Sequence, residues 1–220
     1  MRGLFITIEG PDGAGKSTQG RLLRDHLHPR GEVLHTREPG GTAIGERIRQ
    51  VLLGDAPMEP RTEMLLFAAS RAQFVAEIVE PALQSGRLVL SERYVDSSLA
   101  YQGHARALGI DVVRAVNAVA TRGLQPDLTL LLDIDPTVGL TRARDADRKE
   151  GRRGFGDRLE QEGVPFQQRV REGFLSIARE EPHRVRVIDA SRDLLAVHAD
   201  IVRIVDEFLQ ARGWRGSSSS

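Results

Sequence analysis

The chain has 220 residues, of which 40% are hydrophobic and 28% charged, so it can bury one substantial core but is short for two domains. Lys+Arg and Asp+Glu both number 31, and this zero formal net charge argues against a dedicated nucleic-acid binder, which ordinarily carries a basic excess. There is no cysteine, which excludes disulfides and thiolate metal sites, and no apolar stretch approaches the roughly 18 residues of a membrane span. We therefore predict a single cytoplasmic domain over residues 1–215, without a membrane or nucleic-acid partner, and a disordered tail over 216–220.

Five short apolar runs predict β-strands, and they begin at Leu4, Glu32, Arg87, Asp127 and Arg184. The stretches between and after them carry apolar residues at three- and four-residue spacing, which predicts helices over residues 41–53, 62–83, 111–120, 164–178 and 194–209. Strands that alternate with helices are typical of a parallel sheet covered on both faces. The sequence therefore predicts an α/β fold.

The stretch GPDGAGKST follows the first predicted strand and precedes an amphipathic run, STQGRLLRDHL. It matches the P-loop pattern G-x-x-x-x-G-K-[ST], in which glycines let successive backbone N–H groups point at phosphate oxygens and the following helix adds its positive end. Lys16 supplies a charge to the β- and γ-phosphates, and the Ser17 hydroxyl is placed to bind Mg²⁺. We therefore predict a nucleoside triphosphate site made by Gly10, Pro11, Asp12, Gly13, Ala14, Gly15, Lys16, Ser17 and Thr18.

The P-loop alone does not identify what receives the phosphoryl group. A GTPase would carry an N-K-x-D guanine motif, but the only asparagine, Asn117, is followed by AVA. A mechanical or DNA-acting ATPase fits poorly with the small size and the zero net charge. The acceptor must therefore be sought in the other strand-to-helix regions.

Two of these regions carry side chains suited to an anionic, planar ligand. TREPGGT follows the second strand, and its proline and glycines predict a turn that holds Arg37 at the C-terminal edge of the sheet. A simple turn with an exposed arginine is the alternative. Phe67 and Arg71 are four residues apart and share a helical face, which suits stacking on a base and binding its edge. A core position for Phe67 is the alternative there.

The third region, SERYVDSSLAYQG, follows the third strand. Glu92 stands where the strand of an NTPase ends in an acidic residue directed at Mg²⁺, and Arg93 follows it. A set of polar residues then recurs at helical spacing, which favours a ligand-facing surface over a solvated helix: Ser97, Ser98, Tyr101 and Gln102.

A charge-dense segment, RARDADRKEGRRGFGDR, runs over residues 142–158 with almost nothing apolar to anchor it. A solvated helix end and loop is the ordinary interpretation of such a run. The P-loop makes a second interpretation attractive, because phosphoryl transfer needs positive charge and the variable P-loop positions contain no arginine. The segment is then a candidate source of that positive charge.

Taken in order, FITIEGPDGAGKST, TREPGGT, SERYVDSSLAYQG and DRLEQE resemble the motifs of the thymidylate kinase (dTMP kinase) family, within the nucleoside monophosphate kinase group. The resemblance extends from about residue 4 to about residue 190. It implies a P-loop NTPase fold with a five-stranded parallel sheet, a mobile lid at about residues 142–158, and a homodimer. The implied reaction is ATP + dTMP → ADP + dTDP, with Mg²⁺ as the cofactor.

The same resemblance implies a set of dTMP-binding residues: Asp12, Arg37, Phe67, Arg71, Arg93, Ser97, Ser98, Tyr101 and Gln102. Arg37 and Arg93 would grip the acceptor phosphate, and Asp12 would face the acceptor sugar. Tyr101 would pack where a ribose 2′-hydroxyl would otherwise sit.

On the base, the resemblance implies that Phe67 stacks on thymine, that Arg71 reaches its edge, and that Ser98 and Gln102 lie beside it. The implied catalytic set comprises Lys16, Arg93, Asp12 and three candidate lid arginines, Arg148, Arg152 and Arg153. Of these three, Arg153 matches the transition-state arginine of the family lid best.

Ser17 and Glu92 form the implied metal pair. Glu92 is one methylene longer than the aspartate more frequent in the family, which leaves open whether it binds Mg²⁺ directly or through water. The main alternative function is a P-loop deoxynucleoside kinase, whose neutral acceptor would make poor use of Arg37 and Arg93. An ATP-dependent switch that transfers no phosphoryl group is a less favoured alternative.

Overall fold

A computed structural model describes residues 2–149 and 158–214. Five strands lie within these ranges: β1 Phe5–Glu9, β2 Val33–Arg37, β3 Leu88–Glu92, β4 Leu128–Asp133 and β5 Val185–Asp189. They form one sheet in the order β2-β3-β1-β4-β5, and every neighbouring pair is parallel. Each strand begins one residue after its predicted start, so the predicted five-stranded parallel sheet is confirmed.

The helices of the described residues are α1 Lys16–Leu27, α2 Ala43–Leu52, α3 Pro60–Phe74, α4 Glu80–Gln84, α5 Val95–Ser98, α6 Ile110–Thr121, α7 Pro136–Lys149, α8 Val164–Glu180 and α9 Leu194–Ala211. A π-helical turn, Val75–Val79, joins α3 to α4, so the helix predicted over 62–83 is one continuous helical run with a widened turn inside it. A second π-helical turn, Leu99–Ala105, extends α5. Short 3₁₀ turns occupy His28–Arg30 and Glu160–Glu162.

Apolar side chains bury both faces of the sheet. On one face, Ile6 and Ile8 of β1 pack in a cluster with Leu23 of α1 and Ile201 of α9. On the other face, Phe5 belongs to a cluster with residues of the α3–α4 run, and a further cluster joins β4 to α6 and α8. This double covering explains why the strands are near-continuous apolar runs. No helix in the described ranges is long and apolar enough to cross a membrane.

Two glycines bring the P-loop and α7 into direct backbone contact. Gly13 has φ +74°, and a Cβ atom added there would lie 1.9 Å from the carbonyl oxygen of Gly139. A Cβ atom on Gly139 would lie 2.5 Å from the carbonyl oxygen of Asp12. Both positions therefore require glycine, since any side chain would separate the helix from the loop.

The charge-dense segment at 142–158 is only partly described. Residues 142–149 form the C-terminal part of α7, and the chain is described again from Arg158. Arg152 and Arg153 lie outside the described residues, as does the tail over 216–220.

Candidate active site

The carboxyl ends of β1, β2 and β3 meet at one edge of the sheet. The pairing of Ile8 with Glu92 and of Arg37 with Glu92 places the ends of these strands side by side. A cavity of about 730 Å³ opens at this edge, where open α/β folds bind ligands. Of the predicted site residues that the structure describes, all line this cavity except Gly10, Pro11 and Arg148.

The phosphate loop holds its own lysine. Gly15 adopts a left-handed conformation with φ +92°, and α1 begins at the next residue. The Lys16 Nζ donates to the carbonyl oxygens of Gly10, at 3.0 Å, and Pro11, at 2.7 Å. Burial, with the nearby positive charge of Arg93, lowers the pKa of Lys16 to about 7. The amino group therefore lies where an anion would restore its charged form.

We expect ATP binding at about pH 8.5 to take up close to one proton, because phosphate oxygens raise the Lys16 pKa back toward its ordinary value of 10.5. Calorimetry in buffers of different ionisation enthalpy measures this uptake. Between about pH 7 and 10.5 the unfolded chain holds the proton that folded Lys16 has lost, so the free energy of unfolding of the ligand-free protein rises with pH there. Lys16→Arg, which stays protonated, is the control and should take up none. Binding by the unmodified protein without proton uptake would contradict this assignment.

The predicted metal pair lies together beside the phosphate loop. The Ser17 Oγ donates to Glu92 Oε2 at 2.5 Å, and the His35 Nε2 lies 3.0 Å from Glu92 Oε1. Burial opposes the charge on Glu92, but the contacts with His35 and Ser17 outweigh it and hold the pKa of Glu92 below its ordinary value. The charged carboxylate and the hydroxyl are hard oxygen donors, which fit Mg²⁺.

A complete metal cage is absent from the described chain, since no group of three or more His, Cys, Asp or Glu side chains could hold an ion there. Mg²⁺ characteristically binds through one or two protein oxygens and takes its remaining ligands from phosphates and water. The Ser17–Glu92 pair therefore fits a metal that arrives with a nucleotide.

Arg93 lies between the phosphate loop and the start of α5. Its backbone has φ +68° and donates an N–H bond to the Ile8 carbonyl at 2.9 Å, which fixes the turn after β3. The guanidinium contacts the Asp12 carboxylate through Nη2, and its Nη1 donates to Gly10 O at 3.2 Å and Ser97 Oγ at 3.0 Å. The Arg93 guanidinium therefore contacts both the phosphate loop and α5.

Asp12 is the anionic partner of this arginine. Its Oδ2 accepts bonds from the Tyr101 hydroxyl at 3.0 Å and from the Gln167 Nε2 at 3.1 Å. Burial opposes the charge on Asp12, yet Arg93 and Lys16 outweigh it and keep the pKa of Asp12 below its ordinary value. The carboxylate is therefore charged, and its hydrogen bonds connect the P-loop to the π-helical turn after α5 and to α8.

Arg71 is 1% exposed and is fixed by four partners. Its Nε donates to Glu38 Oε2 at 2.7 Å, its Nη1 to Ser98 Oγ at 2.9 Å and Asn117 Oδ1 at 2.5 Å, and its Nη2 to the Tyr94 carbonyl at 2.9 Å. A guanidinium has five N–H donors, so one remains for a ligand. The position predicted for reading the edge of a base therefore carries a rigidly held donor.

Phe67 is half-buried, and it both lines the cavity and packs against the core, so the two interpretations of this ring are compatible. The widened turn after α5 carries Tyr101 and Gln102 into the same cavity. π-helical turns of this kind are frequent at functional sites. Ser97 lines the cavity too, but its hydroxyl is engaged by Glu9 at 2.6 Å and by Arg93, which makes it a support for that arginine.

The predicted arginines differ in how they meet the cavity. Arg37 lies at its edge, with 49% of its side chain exposed and an ion pair to Glu46 at 3.0 Å. Arg148 is 81% exposed, pairs with Asp145 at 3.4 Å and does not line the cavity. The structure therefore brings Arg37 to the predicted site but leaves Arg148 outside it.

Three buried carboxylates beside the site were not identified from the sequence: Glu9, Glu38 and Glu63. Glu9 accepts the Tyr94 N–H at 2.7 Å, and burial raises the pKa of Glu38 to about 7 although Arg71 opposes this. Glu63 was recognisable in principle, because it precedes Phe67 and Arg71 on the same helical face at four-residue steps.

The fold and the site together define a P-loop NTPase whose cavity extends from the phosphate loop to a region lined by Arg37, Arg71 and Arg93, the arrangement of a small-molecule kinase. The family model for thymidylate kinase matches residues 8–201. The chain therefore belongs to the thymidylate kinase family, whose members are ATP-dependent nucleoside monophosphate kinases that transfer the γ-phosphoryl group of ATP to dTMP, giving dTDP and ADP.

Individual relatives agree over nearly the whole chain. The chain is 50% identical over 208 residues to the thymidylate kinase of Deinococcus radiodurans, covering 94% of this chain and 98% of the relative. It is 46% identical over 212 residues to that of Caldanaerobacter subterraneus subsp. tengcongensis, covering 96% and 98%. The crystal structure of thymidylate kinase from Ehrlichia chaffeensis superposes with a TM-score of 0.74 at 30% identity, covering 93% of this chain and 99% of the other.

Proposed function

We propose that the P-loop holds ATP and that the pocket around Phe67, Arg71 and Tyr101 holds dTMP, so that the γ-phosphoryl group passes between them. The placement of Arg93 carries this proposal, because its guanidinium reaches both the P-loop carbonyl of Gly10 and the helix that carries Tyr101. An acceptor phosphate bound to Arg93 would lie directly beside the nucleotide loop. Such closeness is what phosphoryl transfer requires of an enzyme.

The roles of the acceptor residues follow from their present partners. A dTMP phosphate would compete with Asp12 for Arg93, and Arg37 at the cavity edge would add a second cation. Asp12, released in part from Arg93, could then accept a hydrogen bond from the sugar. Lys16 would exchange its bonds to loop carbonyls for bonds to phosphate oxygens. Substrate binding would thus replace an ion pair and two hydrogen bonds within the protein by contacts with the substrate phosphates.

Ser17 and Glu92 would hold Mg²⁺ at the phosphates, on the support of their contact and of the charged state of Glu92. When bound, the ion would neutralise the negative charge that develops on the phosphates during transfer.

A direct transfer assay tests the proposal. ATP and Mg²⁺ are incubated with dTMP, UMP, dCMP, GMP and thymidine, and the products are separated by anion-exchange chromatography. We expect dTMP to be converted to dTDP and thymidine to remain unchanged. Conversion of thymidine with dTMP left intact would instead establish the deoxynucleoside kinase alternative.

We expect kcat/KM for dTMP to exceed that for UMP by at least about tenfold. The ring of Tyr101 is 4% exposed and packed edge-to-face against Phe166 and Phe174, and by the family resemblance it would occupy the space of a ribose 2′-hydroxyl. The missing methyl of uracil would leave apolar space worth roughly 1 kcal/mol. Steady-state kinetics measures the ratio. dUMP separates the two contributions because it lacks only the methyl, and Tyr101→Phe should keep the hydroxyl discrimination because it keeps the ring. Equal kcat/KM for dTMP and UMP would favour a broad pyrimidine kinase.

We also propose that the chain forms a homodimer through α2, α3 and α6. These helices pack side by side, and their outer surface exposes four large apolar residues: Val51, Leu65, Val112 and Val119, at 54%, 55%, 53% and 83% exposure. Several exposed large apolar residues on neighbouring helices are consistent with an interface. A second copy is the occupant that the family resemblance implies.

Val119→Asp is expected to convert the dimer to a monomer, because a carboxylate without a partner is costly to bury in an apolar interface. Sedimentation velocity measures the change. Val187→Asp, at a 49% exposed position on β5, is the matched control and should leave the mass unchanged. A wild-type protein that sediments as a monomer would rule out this interface.

A further inference from the structure

A buried carboxylate on α3 contacts Gln102, which lines the cavity. Glu63 is 0% exposed, and its Oε1 accepts a hydrogen bond from the Gln102 Nε2 at 2.8 Å. Its Oε2 lies 2.6 Å from Nη1 of Arg158 and 3.2 Å from Nη2 of Arg106. The contact with Arg158 attaches the chain just after the undescribed residues to this same carboxylate.

These contacts determine which way the Gln102 amide faces. Glu63 forms ion pairs with two guanidinium groups, and a carboxylate in such pairs acts only as a hydrogen-bond acceptor. The amide of Gln102 must therefore present its NH₂ group to Glu63. Its Oε1 has no hydrogen-bond partner in the described part of the chain, and Gln102 lines the cavity.

We propose that Glu63 is a positioning residue that selects the base: by binding the NH₂ group of Gln102, it turns the carbonyl oxygen of that amide toward the acceptor pocket. This inference rests on the proposed function. Thymine carries a donor at N3 and an acceptor at O4, whereas cytosine carries an acceptor at N3 and an amino donor at position 4. An acceptor from Gln102 beside the remaining donor of Arg71 matches thymine and opposes cytosine.

The selectivity for thymine depends on the Gln102 amide being unable to flip, that is, to exchange the positions of its oxygen and nitrogen. Rotating the Gln102 amide to suit cytosine would bring its oxygen against the Glu63 carboxylate and leave a buried charge facing an acceptor. Sites built to hydrogen-bond one partner reject the analogue strongly, because their own polar groups are left unpaired. Glu63 would thus act on specificity without touching the substrate.

Glu63→Gln tests this, since a glutamine of the same shape can either donate or accept and no longer fixes the neighbouring amide. We expect the ratio of kcat/KM for dTMP to that for dCMP to fall at least about tenfold in this variant. A purely structural role would lower both values together and leave the ratio unchanged. A folded Glu63→Gln variant that retains the wild-type ratio would overturn the proposal.

Arg106→Met is the matched control, because it removes one charged neighbour of Glu63 but leaves the carboxylate and the Gln102 contact in place. It should lose stability, since Arg106 also pairs with Glu162 at 2.5 Å, while keeping the base ratio. If Glu63→Gln does not fold, the Glu63→Gln/Arg106→Met double variant balances the lost charge and is assayed in its place.

A competition measurement on the unmodified protein gives an independent result. N3-methyl-dTMP lacks the donor at N3. We therefore expect its inhibition constant against dTMP phosphorylation to be at least about tenfold higher than the dissociation constant of dTMP. Equal affinities for N3-methyl-dTMP and dTMP would overturn the inference. A protein that leaves dTMP unphosphorylated would instead contradict the proposed function, so the two failures are distinguishable.

Discussion

Lys16→Ala is expected to lower kcat at least about 10²-fold while the protein stays folded. The lysine is the basic side chain of the phosphate loop, and its amino group is held by two carbonyl oxygens at the cavity. Without it, the phosphoryl group loses a cation during transfer, while the freed carbonyls can bind water. Steady-state kinetics with ATP and dTMP measures the loss, and thermal unfolding checks the fold.

Arg24→Ala is the matched control, since it removes one cation from the same helix. Arg24 is 42% exposed, pairs with the adjacent Asp25 and does not line the cavity, so turnover should be unchanged. Near-normal turnover in Lys16→Ala would refute the nucleotide site as we have assigned it.

Arg153→Ala is expected to lower kcat by about 10³ to 10⁵, the typical effect of a transition-state arginine, with little change in dTMP binding. The four variable P-loop positions contain no arginine, so a further cation must come from elsewhere. Arg142 lines the cavity, but it donates to the carbonyls of Ala190 and Ser191, and Arg148 lies outside the cavity. Single-turnover kinetics and dTMP titration measure the two effects separately.

Arg148→Ala and Arg152→Ala are the companion variants, and each should lower kcat less than Arg153→Ala does. Full turnover in Arg153→Ala together with its loss in Arg148→Ala would move the catalytic role to Arg148. Normal turnover in all three single variants and in the triple variant would show that the segment supplies no catalytic cation.

The features predicted from the sequence are those set by neighbouring residues. The apolar runs that became β1 to β5 are local, and the P-loop depends on glycines whose conformations are local as well. The buried carboxylates depend on distant partners: 39 residues separate Gln102 from Glu63, and 155 separate Gln167 from Asp12. The sequence alone does not show such pairings, because they arise only when the helices assemble around the sheet edge.

The backbone contact between Gly13 and Gly139 has a mechanical consequence for this enzyme. With no side chain between them, any displacement of the phosphate loop relative to the N-terminal part of α7 would first have to separate two backbones in direct contact. We therefore expect a spectroscopic ruler between α1 and the first turn of α7 to register no length change during turnover.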